Sequence, residues 1–221
     1  MGTPEDEPGR QSNETQRLVT VGSFHMGIYP VTQKEYQEVM GTNPSHFRGD
    51  NLPVENVTWF DAIEYCNRRS QREGLTPAYT ISGSGNHSIV RWNRNANGYR
   101  LPTDAEWEYA CRAGTTTAYN TGANINTTQA NFNNTLSRTT PVDSYPANRW
   151  GLYDMHGNVW EWCWDWRPWP SYGARTPVSD GYRVVRGGGW NSSVEGTRSA
   201  GWLSYDPAYR SSTFGFRLVR P

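Results

Sequence analysis

The stretch "GLYDMHGNVWEWCWDW", residues 151–166, carries the strongest structural signal in the chain. Trp160, Trp162, Trp164 and Trp166 occupy every second position of its second half. A spacing of two predicts a β-strand, because alternate side chains of a strand point to the same face of the sheet. Four indole rings on one face are more typical of a core wall than of a platform for a ligand. The sequence therefore predicts a buried strand here.

The composition indicates a single loop-rich globular domain. Only 35% of the 221 residues are hydrophobic, but 11 Trp and 13 Tyr can bury area in place of aliphatic side chains. The 22 Gly and 14 Pro predict many turns, and no spacer divides the chain. Lys plus Arg and Asp plus Glu both number 21, so nucleic acid is excluded as a partner. No apolar stretch approaches the roughly 20 residues of a membrane span.

The N-terminal residues differ in character from the rest. Residues 1–16, "MGTPEDEPGRQSNETQ", are polar and contain Pro and Gly. We predict that they form a flexible tether before a domain that spans residues 17–221. If the protein is exported or carries a lipid anchor, the signal for it lies outside these residues.

Three capping boxes predict the starts of three helices, because each threonine is followed three residues later by an acidic side chain. They are "TQKE" from Thr32, "TWFD" from Thr58 and "TDAE" from Thr103. Glycines then indicate the ends of the second and third helices, at Gly74 and Gly114.

Two further strands are predicted near the C-terminus. They lie in "GYRVVRGGGW", residues 181–190, and "FGFRLVRP", residues 214–221, close enough to share a small antiparallel sheet. The three cysteines, Cys66, Cys111 and Cys163, have no metal-ligand spacing, and we expect them to be buried free thiols.

Four motifs, in this order and spacing, closely resemble those of the formylglycine-generating enzyme, or sulfatase-modifying factor, family. They are "YRLPTDAEWEYACRAG" at 99–114, "GLYDMHGNVWEWCWDW" at 151–166, "RVVRGGGW" at 183–190 and "GFRLVR" at 215–220. The resemblance covers nearly the whole chain. It implies an α+β protein with the C-type lectin fold of the formylglycine-generating enzyme subtype. Such a fold is a single loop-rich domain with twisted antiparallel strands and a few helices.

Catalytic members of this family oxidise a cysteine in a client protein, using copper held by two cysteine thiolates. The resemblance places those two ligands at Ser192 and Thr197, whose hydroxyls are poor ligands for soft Cu(I). We therefore expect no copper, no catalytic residues and no enzyme activity. An enzyme with a displaced active site is the least favoured alternative.

The segment from Trp190 to Thr213 mixes Trp, Tyr and Leu with Ser, Asn and Gly, a composition typical of binding surfaces. It resembles the variable proteins, treponemal surface lipoproteins among them, that diversity-generating retroelements diversify. The resemblance implies a variable segment at about 186–217 on a fixed scaffold. The residues implied for its ligand-binding face are Trp190, Asn191, Ser192, Ser193, Gly196, Gly201, Trp202, Leu203, Ser204, Tyr205, Tyr209, Ser211, Ser212 and Thr213. Alternatively, this irregular segment only packs against the core.

The family resemblance also implies a possible structural calcium ion before the tryptophan-rich strand. The matching positions are Asp154 and Glu161, with the backbone carbonyls of Gly157 and Val159. Oxygen ligands of this kind suit a hard cation. Alternatively, the two carboxylates cap the turn through hydrogen bonds.

These observations favour a noncatalytic, surface-displayed ligand-binding protein with a diversifiable C-terminal face. A protein ligand is favoured over a small molecule, because the expected face is broad and holds no deep charged pocket. The resemblance implies an exported protein at the cell surface, a lipoprotein in full-length form, and we expect a monomer. A fixed accessory or scaffolding protein of the same fold is the alternative.

Overall fold

A computed structural model describes residues 1–85, 88–167 and 181–221. Its three helices are α1 (Gln33–Met40), α2 (Trp59–Arg72) and α3 (Asp104–Arg112). All three predicted capping boxes are present: each threonine side chain accepts the N3 backbone N–H, and each N3 carboxylate accepts the N–H of the threonine. The predicted helix starts are therefore confirmed. The helices α2 and α3 end two residues before the predicted glycines.

The strands are short and form three sheets. They are β1 (His25–Met26), β2 (Tyr79–Ser82), β3 (Ile89–Trp92), β4 (Trp160–Arg167), β5 (Tyr182–Arg186), β6 (Trp202–Tyr205), β7 (Phe214–Gly215) and β8 (Val219–Arg220). The largest sheet has the order β6-β5-β4-β7, while β1 pairs with β8 and β2 with β3. This arrangement confirms the α+β class with few helices.

The predicted pairing of the two C-terminal strands is wrong in one respect. The stretch "FGFRLVRP" contains two strands, of which β7 runs parallel to β4 and β8 pairs with β1. The antiparallel neighbour of β5 on its outer side is β6, which the sequence did not reveal as a strand. Residues 206–213 carry the chain from one edge of the sheet to the other, which brings β7 back in the parallel sense.

The strand β4 is buried on both faces of the sheet. Trp160 and Trp162 belong to the larger core cluster, with Trp164 packed against it, as the period-two pattern predicts. Trp166 lies near the end of the strand and is 44% exposed, although its ring is still 6.3 Å from the ring of Trp59. On the opposite face, Cys163 packs in a second cluster with residues of α3. Core clusters therefore pack against both faces of the sheet, and these contacts hold β4 in place.

The three cysteines are free and buried, as predicted. Burial raises the pKa of the Cys111 thiol to about 12, and it also raises the pKa of Cys66 and Cys163. All three therefore stay protonated at neutral pH and act as small core side chains.

The N-terminal segment, residues 1–16, is docked on the domain, in contrast to the flexible tether expected. Arg198 is 2% exposed in its side chain and forms ion pairs with Glu7 at 2.8 Å and Glu14 at 2.6 Å. The N–H of Gly2 donates to Glu108 at 2.8 Å. A polar composition conceals this docking, because the contacts are charge-assisted hydrogen bonds and not apolar burial.

No helix in the described part of the chain is long and apolar enough to cross a membrane.

Candidate ligand-binding face

The glycines that follow β5 are required by close packing. Gly187 and Gly188 have φ angles of 91° and 80°, in the left-handed region that favours glycine. A Cβ atom on Gly188 would stand 2.5 Å from Cγ2 of Thr197. This turn leads the chain out of the core and begins the C-terminal segment.

Eleven of the fourteen residues predicted for the face line one depression of about 510 Å³. They are Asn191, Ser192, Ser193, Gly196, Gly201, Trp202, Leu203, Tyr205, Tyr209, Ser211 and Thr213. The sequence segment is irregular, but β6 and the loops on either side of it bring these residues together. We call this depression the C-terminal face.

The other three predicted residues, Trp190, Ser204 and Ser212, do not line the C-terminal face. Trp190 packs its ring on Phe47 at 5.8 Å and donates Nε1–H to the carbonyl of Ser212 at 3.1 Å. Ser204 lies in β6, opposite Val184. Two of the lining residues, Gly201 and Thr213, are themselves buried, so a larger side chain there would have to displace its neighbours.

The exposed part of the C-terminal face combines apolar and polar side chains, since Asn191, Ser193 and Glu195 are exposed as well as Leu203 and Tyr209. Leu203 and Tyr209 are each 43% exposed. The rings of Tyr205 and Tyr209 stack at 5.0 Å with an angle of 24°, and Tyr205 meets Phe214 edge-on at 4.8 Å. These contacts hold the tyrosines in place before any ligand binds, so little side-chain entropy is lost on binding.

A buried arginine of β5 holds the backbone of the C-terminal face. The Arg186 guanidinium donates to the carbonyls of Ser199 and Gly201, both at 3.2 Å. The same group pairs with Asp104 and Glu108 of α3. The carboxylates are 3% and 1% exposed, so their charge and that of Arg186 are satisfied inside the domain.

The loop that contains Asn133 and Asn134 supports the backbone at the start of the C-terminal face. The N–H groups of Asn133 and Asn134 donate to the carbonyls of Ser192 and Trp190, both at 2.8 Å. Both asparagines have positive φ angles, 62° and 56°, a conformation that asparagine tolerates better than most residues. The backbone of the face is thus held by residues outside it.

The N-terminal segment also contributes to the C-terminal face. Gln11 and Glu14 line the same depression as the C-terminal residues. Sequence reasoning missed both, because they lie about 180 residues away in a stretch that was expected to be flexible. The ion pairs of Glu7 and Glu14 with Arg198 bring them there.

The two positions that match the copper ligands of the family have structural roles. The Ser192 hydroxyl accepts the N–H of Gly189 at 2.9 Å. The Thr197 hydroxyl donates to the carbonyl of Val194 at 2.8 Å, and Thr197 is buried. None of the three cysteines lines the C-terminal face. This face therefore lacks the thiolates that copper chemistry needs.

The two carboxylates predicted to bind calcium already accept hydrogen bonds, while the calcium-binding role of the backbone carbonyls of Gly157 and Val159 stays a prediction. Both oxygens of Glu161 accept from the Arg217 guanidinium, and one also accepts Nε1–H of Trp107 at 2.7 Å. The Asp154 carboxylate accepts the N–H of Asp143 at 3.1 Å. In the described ranges, no group of three His, Cys, Asp or Glu side chains could hold a metal ion. Glu161 is already neutralised, so it offers little to a calcium ion.

Comparison with solved structures adds to this geometry. Treponema denticola variable protein 1 superimposes with a TM-score of 0.78 at 35% identity, over 90% of this chain and 84% of that chain. The similarity exceeds what the fold alone explains, because the two sequences share a third of their residues over nearly their whole length.

Comparison with protein sequences identifies the family. The chain is 39% identical to "Chaperone protein LppX" of Paenibacillus barcinonensis, over 95% of this chain and 84% of that protein. It is 29% identical to the formylglycine-generating enzyme of Mus musculus, over 99% and 72%. It spans about a third of the length of the chlamydial serine/threonine-protein kinases that it also matches. The model of the sulfatase-modifying factor enzyme 1-like domain matches residues 1–221. The chain therefore belongs to the sulfatase-modifying factor enzyme 1-like domain family, and it has the C-type lectin-like fold of that family.

Proposed function

We propose that this protein is a noncatalytic, surface-displayed ligand-binding protein whose C-terminal face is diversifiable and binds a protein ligand. The observation that carries the proposal is the convergence of eleven predicted residues on one depression. That depression is broad, partly aromatic and free of cysteine, and these properties suit the binding of a protein better than catalysis. The similarity to a treponemal variable protein supports the same role. In this proposal the protein is exported, lipid-anchored in full-length form, and monomeric.

Binding is tested by selection from a phage-displayed library of random 12-residue peptides, first on the wild-type protein and then on Trp202→Ala and Tyr205→Ala. We expect clones that bind the wild type and lose binding to both variants. The matched control is Glu64→Ala on α2, which should keep every clone, because the Glu64 side chain is 46% exposed and does not line the face. If all the clones bind the Trp202→Ala and Tyr205→Ala variants as well as the wild type, the C-terminal face is not the binding site.

Diversification is tested separately, by deep sequencing of the DNA that encodes residues 186–221 in one cell lineage. We expect substitutions at the exposed positions of the face, while Arg186 and Arg217 stay constant. A segment as constant as the rest of the gene would refute diversification and leave the binding role intact.

A second function is favoured by a specific observation. The LppX relative, 39% identical over most of both chains, is named a chaperone protein. A protein of that kind would use the same face on one fixed client. Pulldown with this single sequence would then recover the same partner from every preparation, and deep sequencing would find no excess of substitutions. Copper-dependent oxidation of a cysteine-containing peptide would instead support the enzyme alternative, for which the C-terminal face lacks thiolates.

A further inference from the structure

Among the residues that the structure describes, the strand β6 forms a free edge of the largest sheet. It pairs with β5 along residues 202–205 and stands at the end of the strand order β6-β5-β4-β7. Within residues 1–85, 88–167 and 181–221, no other strand pairs with it. The backbone N–H and C=O groups on the outer side of an edge strand can accept another strand. The C-terminal face therefore offers main-chain hydrogen bonds as well as side chains.

The side chains beside this edge are mostly apolar and could contact a bound peptide in an extended conformation. Trp202, Leu203 and Tyr205 belong to β6 itself, and Tyr209 stacks on Tyr205. Successive side chains of β6 point to opposite faces of the sheet, so an added strand would meet apolar groups on both of its faces.

One carboxylate without an ion pair lies close to β6, although the whole chain is neutral. The Glu195 carboxylate is exposed and forms no ion pair among the described residues. Arg198, three residues further on, is occupied by Glu7 and Glu14. The charged residues that line the depression are Glu14, Glu195 and Arg198, which gives it a net charge of −1. A partner that complements this charge carries a basic side chain.

Glu195 lies next to the start of β6. Its backbone carbonyl oxygen stands 3.4 Å from the point that a Cβ atom on Gly201 would occupy, and both residues line the depression. Hydrogen bonds from its own backbone N–H and from the Ser193 side chain lower the pKa of Glu195, so this carboxylate is charged at neutral pH. Glu195 is also outside the set of positions predicted to vary, so we expect its charge to be kept when the face varies.

We propose that the ligand is an extended peptide segment that adds as a further strand to the free edge of β6 and places a basic side chain against Glu195. This inference rests on the proposed binding function and names the chemistry of its partner. Main-chain pairing supplies affinity that does not depend on the ligand sequence, and the charge of Glu195 fixes the register. The variable side chains then select among basic peptides.

The test uses the intact protein and the peptides from the random 12-residue library. First, the selected clones are sequenced, and we expect Arg and Lys to be enriched over the unselected library. Second, one clone is synthesised as a series in which each backbone N–H in turn is N-methylated. A strand pairs through alternate residues, so we expect losses of about tenfold at every second position and small changes between them.

A protein variant supplies the third measurement. Glu195→Gln keeps the size of the side chain and removes its charge, so the affinity for a basic clone should fall about tenfold, and most of that difference should vanish at high salt. The control is Glu64→Gln on α2, which should change nothing.

The outcomes separate this inference from the proposed function. Clones that depend on Trp202 and Tyr205 but show neither basic enrichment nor a period-two N-methyl pattern overturn the inference and leave the binding function intact. Clones that depend on neither residue overturn both. A dimer that forms through β6, seen by sedimentation and weakened by Leu203→Arg but not by peptide, would assign the edge to a second copy of this chain and also overturn the inference.

Discussion

Replacement of Arg198 by methionine should release the N-terminal segment while the domain stays folded. Methionine fills part of the same space but leaves the Glu7 and Glu14 carboxylates, 8% and 2% exposed, without a cation. Breaking a buried ion pair by removing one partner costs about 3–5 kcal/mol when the remaining charge stays buried. Here the carboxylates can escape that cost if residues 1–16 leave the surface.

Two hydrogen bonds of Gly2 remain as polar anchors of the segment. Gly2 donates to Glu108 at 2.8 Å and accepts from Arg112 at 3.0 Å. The substitution leaves these bonds unchanged, so the loss of the Arg198 ion pairs alone should raise the opening equilibrium of the segment by about two orders of magnitude.

Hydrogen exchange measured by mass spectrometry provides the assay. Amides of residues 3–14 should exchange about a hundredfold faster in Arg198→Met than in the wild type, in line with a change of about 3 kcal/mol. Amides of β4 and β5 should keep their protection. The matched control is Arg210→Met, which removes an ion pair whose side chains are 49% and 31% exposed and should change little. Unchanged exchange in residues 3–14 would refute the docking argument, and a loss of protection throughout would show that the segment is part of the cooperative core.

Three further predictions concern the core and the predicted calcium site. Burial lowers the pKa of His156 to about 4, and its neutral ring donates to Thr197 at 2.7 Å, so stability present above pH 6.5 should fall by about 3 kcal/mol as the pH drops towards 4. Urea unfolding should show that His156→Gln loses this part of the pH dependence, and equal slopes for both proteins would contradict it. Arg217→Met should cost about 3–5 kcal/mol because it leaves the buried Glu161 carboxylate without a positive charge beside it, and Arg217→Met with Glu161→Gln should recover part of that loss. If the double variant is no more stable than the single one, the two residues are not coupled. Finally, EDTA should leave the Tm unchanged, since both carboxylates predicted to bind calcium already accept hydrogen bonds, and a clear fall in the Tm would show that a cation binds.

Much of the fold could be predicted from local chemistry. A capping box is a short-range pattern, so Thr32, Thr58 and Thr103 predicted the helix starts correctly. The period of the tryptophans predicted β4 for a similar reason. Strand partners depend on long-range pairing, which explains why the parallel position of β7 was missed.

In the candidate site, too, local features could be predicted and long-range contacts could not. The composition of the C-terminal segment, together with its resemblance to variable proteins, identified most of the lining of the C-terminal face, because aromatic and small polar residues are common in binding surfaces. The contribution of Gln11 and Glu14 could not be predicted, since only the buried Arg198 explains why a polar N-terminal stretch is ordered. The pairing of Glu161 with Arg217 was hidden for the same reason, because the two residues are 56 positions apart.

The hydrogen bonds from Arg186 to the carbonyls of Ser199 and Gly201 have an evolutionary consequence. Carbonyl oxygens are the same for every amino acid, so this support does not depend on which side chains the neighbouring positions carry. Mutations at the exposed positions can therefore accumulate with little penalty to folding. A lineage could explore many versions of this surface while every copy remains a stable protein, and selection would then act on recognition alone.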